Sequence, residues 1–111
     1  VLWQNFFLSF KKKDVMLIQH RHKDNKGMFF IEEDGAILAE MTYTNTDANH
    51  MIIEHTQVDD ELKGQNVGYS LVTHAVEYAR LHNQKIMPVC TFAKAVFDKK
   101  PELRDVLENG S

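Results

Sequence analysis

Lys63, Gly64, Gln65, Asn66, Val67 and Gly68 put residues that tolerate positive φ at positions 64, 66 and 68. Successive backbone N–H groups can then turn toward one concave point, which suits an anion. Leu71, Val72, Ala75, Val76 and Ala79 follow at helical spacing, with Ser70, Thr73, His74, Glu77 and Arg80 opposite. A helix is therefore expected to start where the loop ends. Its unpaired N-terminal N–H groups and the positive end of its dipole would add to the loop amides, an arrangement that captures phosphate or pyrophosphate. The alternative is an ordinary strand-to-helix turn. A Walker A loop would end in Gly-Lys-Ser/Thr and a dinucleotide fingerprint would read G-x-G-x-x-G, and neither stands here. A second group able to do chemistry is Cys90, the sole cysteine. A thiolate attacks thioesters well, whereas a cysteine inside an apolar strand is packing.

The chain has 111 residues, of which 43% are hydrophobic and 26% charged. One globular domain with a small core is expected. A net charge of −3 argues against bulk affinity for nucleic acid or an anionic membrane surface. A single cysteine forms no intrachain disulfide, which fits a reducing cytoplasm. Six histidines raise the question of a metal. Only His20 and His22 are closely spaced, without a carboxylate or thiol at finger-like spacing, so no metal site is expected. VLWQNFFLSF is too short to span a bilayer, and KKKD follows it on the wrong side for a secretory signal. Residues 1–15 are expected to be an extension that packs on the domain or on a partner, with the domain beginning near Met16 and running to residue 111. The alternative is a first strand or helix of the core.

The elements that must position the loop follow from alternation and turn chemistry. Leu17–His22 is a short candidate strand, Lys23–Gly27 a polar turn, and Met28–Glu33 a second strand closed by Asp34-Gly35, the strongest hairpin signal in the chain. Ile37, Ala39, Met41 and Tyr43 are expected to share one face of a third strand, and Leu38, Glu40, Thr42 and Thr44 the other. Asn45–Asn49 supplies turn residues, and His50–Val58 is a fourth strand leading to the loop. After the helix, Asn83 is a terminator, and Lys85–Thr91 reads as a fifth strand that Pro88 confines to an edge or parts from its neighbour. Phe92, Ala95 and Val96 begin a second helix that stops before Pro101, and Leu103–Leu107 completes a last turn. The fold class is α+β, an α/β mixed sheet that is mostly antiparallel, with a parallel strand-helix-strand crossover over residues 50–91.

The order basic residue, x, x, Gly or Asn, x, Gly, carried by Lys63, Asn66 and Gly68, resembles the acetyl-CoA loop of the GCN5-related N-acetyltransferases. The departure is Asn66, where that family usually has Gly. Asn is the non-glycine residue best suited to the left-handed region, so the cradle can persist. IEHTQV at 53–58, LKGQNVGYSLV at 62–72 and PVCTFAKAVFDKKPE at 88–102 extend the likeness over about Gly27 to Leu107, to the small, single-domain, YjdJ-type branch of that family.

The resemblance implies an acetyl-CoA-dependent N-acetyltransferase whose fourth and fifth strands splay apart to receive the pantetheine arm like an added strand. Gln57 and Val58 would line the pantetheine through their main chain. Lys63, Gly64, Gln65, Asn66, Val67, Gly68, Tyr69 and Ser70 would hold the pyrophosphate, and Phe92 and Lys94 would lie near the cofactor. Cys90 would stand on the fifth strand near the thioester, as acyl acceptor or active-site group, with His55 the best base for it. Glu54 and His55 are expected on opposite faces of the fourth strand, so that only one faces the cleft. Direct transfer to an amine needs a base and an N–H to hold the carbonyl oxygen, and either side chain serves as base. The acceptor is a primary amine: a small molecule, a polyamine or a protein lysine. The alternative function is a non-catalytic acetyl-CoA- or CoA-binding protein, or a carrier acylated on Cys90.

Overall fold

The structure, a computed structural model, describes residues 17–108. The expected extension over residues 1–15 and the start at Met16 lie outside the described residues.

Five strands form one sheet in chain order: β1 (Gln19–Lys23), β2 (Lys26–Glu33), β3 (Ala36–Asp47), β4 (His50–Val58) and β5 (Lys85–Pro88). The first four pair antiparallel and β4 pairs β5 in parallel, as expected from the sequence. Helix α1 (Val67–Leu81) makes the crossover, and helix α2 (Thr91–Lys99) and a 3-10 helix (Pro101–Val106) follow β5. Apolar residues of the sheet and of both helices share one core, so the helices cover a single face of the sheet.

Local chemistry fixes the connections. Asp34 and Gly35 both have positive φ (52° and 85°), the backbone of a tight hairpin that matches strand twist. The first hairpin is tighter than its composition suggests: Lys23 pairs with Lys26, leaving Asp24 and Asn25 as the turn, so β1 and β2 run into the stretch expected to be loop. Gly27 sits within β2 because the Tyr43 ring crosses it, and a Cβ there would lie 2.3 Å from that ring. Crossing Gly27 brings the Tyr43 hydroxyl to β1, where it lies 2.6 Å from His20 Nε2 and 2.9 Å from His22 Nδ1. The closely spaced histidines thus tie an edge strand to a buried phenol. Burial, then Tyr78, raises the pKa of Tyr43 and keeps it protonated.

At its C-terminus α1 stops in a left-handed residue, Asn83 (φ 57°), with Gln84 N–H donating to Ala79 O and Asn83 N–H to Arg80 O. This is the 6→1 and 5→2 pattern of a Schellman cap. Arg80 then reaches Asp105 (2.6 Å) and the Glu102 carbonyl (2.9 Å), tethering the 3-10 helix to α1.

Two bulges redirect side chains. Ile31 pairs with Ala39 but Glu32 with Ile37, so Leu38 is extra and Ile37 leaves the core face, where it had been expected; it is 43% exposed. In β4, Thr42 pairs with His55 and Tyr43 with Ile53, so Glu54 is the inserted residue.

Candidate active site

The parting of β4 and β5 creates the site. The last ladder pair is Ile53 with Pro88, after which Val89 N–H (2.9 Å) and Cys90 N–H (3.3 Å) both donate to the Ile53 carbonyl. β4 continues to Val58 while the other chain turns into α2, because Pro88 has no N–H for the ladder and Cys90 begins a helix. The gap opens into a cleft of about 550 Å³ whose lining includes Thr56 to Val58 on the strand, Lys63, Gly64 and Asn66 on the loop, and Gly68, Tyr69 and Phe92 on the helices.

The loop forms the cradle in part. Gly64 (φ 84°) and Asn66 (φ 59°) are left-handed, and Asn66 is the residue from which α1 springs. Gly68 is not: it is the second residue of α1, and its lack of a side chain serves another purpose. The Phe92 ring stands 2.3 Å from where its Cβ would be. The expected positive φ at 68 is therefore corrected to a close helix-to-helix approach, because the helix begins two residues earlier than the loop pattern suggested. No acidic residue occupies the first turn of α1, and Val67, Gly68 and Tyr69, which carry its orphan N–H groups, line the cleft. Lys63 also lies there, with its Nζ 2.9 Å from Asp60 Oδ1.

Cys90 is not on the fifth strand. Pro88 ends β5, and Cys90 is the N-cap of α2, its sulfur accepting from Ala93 N–H at 3.3 Å. The same sulfur lies 3.3 Å from Thr56 Oγ1, so the thiol and a cleft hydroxyl meet where the strands part. Nothing in the sequence marks Thr56 as a site residue. Alternation with Ile53 argues against it, and only the extra residue at Glu54 turns it inward.

That bulge also overturns the expectation for Glu54 and His55. Both side chains are exposed on the face of the sheet away from the helices, Glu54 accepting from Thr44 Oγ1 (2.9 Å) and His55 lying 3.3 Å from Gln57 Oε1. His55 pairs across from Thr42 while Thr56 pairs with buried Met41, so the strand separates His55 from Cys90. His55 cannot serve as a base for that thiol. Lys94 is likewise displaced, lining a groove with Met87, Pro88 and Asp98 on the far edge of β5 rather than the cleft. Gln65 and Ser70 flank the cleft without lining it, Gln65 bonding to the Glu61 carbonyl at 3.4 Å. Among the described residues, no group of three or more His, Cys, Asp or Glu is placed to hold a metal, and no helix is long and apolar enough to cross a membrane.

Residues 28–106 match the model of a family described as GCN5-related N-acetyl-transferase. A GCN5-like protein from Staphylococcus aureus, solved by NMR, is 41% identical; the match covers 81% of this chain and 87% of that one, with a TM-score of 0.64. The ribosomal-protein-S18-alanine N-acetyltransferase of Escherichia coli is 13% identical with a TM-score of 0.58, the match covering 70% of this chain and 53% of that one. A GNAT family acetyltransferase from Elizabethkingia anophelis, solved with acetyl-CoA bound, is 12% identical with a TM-score of 0.54, covering 69% and 53%. The chain spans about half the length of these last two, whose likeness is one of fold. No curated protein matches the sequence.

Proposed function

The chain belongs to the GCN5-related N-acetyltransferase family, and from that premise we propose that it moves the acetyl group of acetyl-CoA to a primary amine. The observation that carries this reading is the parting of β4 from β5 directly beneath the N-terminus of α1. An extended pantetheine arm fits beside Thr56 to Val58 as a strand would, hydrogen bonding to their main chain, and its pyrophosphate end reaches the Lys63–Gly68 loop and the first turn of α1. Phe92, wedged against Gly68, forms the apolar wall between them. The match along most of the Staphylococcus aureus chain supports placement in the small, single-domain branch of the family.

Acetyl transfer forms a C–N bond and breaks a C–S bond. The amine must arrive without its extra proton, and the departing thiolate must gain one. Both requirements have groups at hand. Cys90 and Thr56 lie at the seam where the thioester carbon would sit and supply a hydrogen bond or proton to the leaving sulfur. Glu54 and His55 stand on the opposite face of the same bulge. Cofactor then enters from the helix face and the amine from the outer face, where either side chain accepts the ammonium proton. Thr56 and Cys90 are bonded to each other, and the thiol also caps α2, which favours direct transfer over an acylated Cys90 carrier. The acceptor is an amine able to reach an exposed sheet face, whether a small molecule, a polyamine or a protein lysine.

The test is turnover. Release of free CoA thiol should rise with amine concentration across a panel of polyamines and lysine peptides. Acetylation of Cys90 in stoichiometric amount, with no transfer to any amine, would replace this reading with the carrier.

A further inference from the structure

We infer that Lys100 binds the 3′-phosphate of acetyl-CoA, so that the chain distinguishes CoA from its 3′-dephospho form. The inference rests on the reading of the cleft as an acetyl-CoA site and adds a residue and a selectivity to it.

Tyr69, in the first turn of α1, lines the cleft mouth beside Lys63, Gly64 and Asn66. Lys100 extends its ammonium over the Tyr69 ring, 5.0 Å from the centroid. The root of that lysine is fixed: its N–H donates to the Val96 carbonyl as the C-cap of α2, and Pro101 follows as the first residue of the 3-10 helix. The ring contact orients the charge without neutralising it.

Local charges make that cation important. Lys63 is 2.9 Å from Asp60, and Asp59 and Glu61 flank the same turn, so the loop side of the mouth carries more acid than base. The first turn of α1 offers N–H groups and no carboxylate. Lys100 forms no ion pair with a carboxylate among the described residues. Its ammonium therefore stands beside the cleft mouth, over the ring of Tyr69, without a carboxylate partner. Acetyl-CoA brings a pyrophosphate and a separate ribose phosphate. The loop and helix N-terminus suit the first, which leaves the second, a dianion at the solvent end of the ligand, for a cation standing apart from the loop.

Calorimetric titration of acetyl-CoA and of 3′-dephospho-acetyl-CoA into the wild type, Lys100→Ala and Lys100→Arg tests this. The wild type should bind acetyl-CoA roughly fivefold or more tightly than the dephospho form, a half-exposed ion pair's worth. That preference should shrink with added salt. Lys100→Ala should abolish the preference by weakening acetyl-CoA alone, and Lys100→Arg should restore it. Equal affinity of the wild type for both ligands would overturn the inference. So would an equal loss for both ligands in Lys100→Ala, which is what a purely structural lysine predicts. A folded wild type that binds neither ligand would overturn the acetyl-CoA reading itself, a result distinct from binding both equally.

Discussion

The Phe92 ring occupies the space a Cβ on Gly68 would need, 2.3 Å from that position. This contact locks the start of α2 onto the start of α1, and so sets the width of the cleft between β4 and the helices. Phe92 is 42% exposed, so a side chain at 68 would push the ring outward into the cleft rather than unfold the domain. Gly68→Ala should therefore weaken acetyl-CoA binding several-fold while lowering stability by only about 1 kcal/mol. In a Phe92→Ala background the same change should cost at least about 0.5 kcal/mol less in binding, the coupling expected of residues in contact. Calorimetric titration of the four proteins of this cycle measures both; additive losses would contradict the interlock.

The other close glycine behaves differently. A Cβ on Gly27 would meet the Tyr43 ring at 2.3 Å, and Tyr43 is 1% exposed with its hydroxyl held by His20 and His22. That ring has nowhere to go. Gly27→Ala should cost about 2 kcal/mol or more. For a domain of this size the melting temperature should fall by roughly 8 °C or more. Tyr43→Phe keeps the packing and removes only the hydroxyl, and should cost about 1 kcal/mol. Thermal unfolding checks the order of the two.

Acid should weaken the fold through His20. Burial, with the nearby His22 and His82, lowers its pKa below the usual 6.5. The unfolded chain therefore takes up a proton below pH 6.5 that the folded chain refuses, and stability falls as pH drops from 6.5 toward the folded pKa. His50 works the other way. Its hydrogen bond to Asp47 raises its pKa, so its contribution is fully present below pH 6.5 and is lost as pH rises through the folded value. Denaturant unfolding between pH 5 and 8 should show His20→Gln reducing the acid-side decline and His50→Gln steepening it (roughly the range in which histidine titrates).

Cys90 separates two chemistries by substitution. As N-cap of α2 and hydrogen-bond partner of Thr56, it should be replaced well by serine, a preferred N-cap with a hydroxyl hydrogen. Cys90→Ser should keep turnover within about threefold of wild type, while Cys90→Ala should lose more and cost about 1 kcal/mol of stability. An acyl-cysteine route predicts instead that serine and alanine are equally inactive. Steady-state rates and intact mass after exposure to acetyl-CoA decide between them.

The sequence carried the sheet better than the site. Asp34-Gly35, the alternation through Tyr43 and the helical spacing from Leu71 to Ala79 are local signals, and each produced its element, with β4 falling at the expected His50–Val58. What was hidden depends on partners distant in sequence. The bulge at Glu54 is defined by the register of β3 against β4, and it alone sends Thr56 into the cleft and His55 out of it. The role of Gly68 depends on Phe92. The apolar neighbours of Cys90 read as strand, but the ladder ends at Pro88 and the next helix begins at Thr91. Lys94 follows Phe92 closely in sequence, yet the turn of α2 carries it to the far edge of β5.

The most direct measurement is an NMR titration of the labelled protein with acetyl-CoA, following backbone amides. Acetyl-CoA should give saturable shifts concentrated at residues 56–58 and 63–69 and at Phe92, with the far-edge groove around Met87 and Lys94 unaffected. Absence of shifts in a folded protein, or shifts centred on that far-edge groove, would rule out the cleft between β4 and the helices as the acetyl-CoA site.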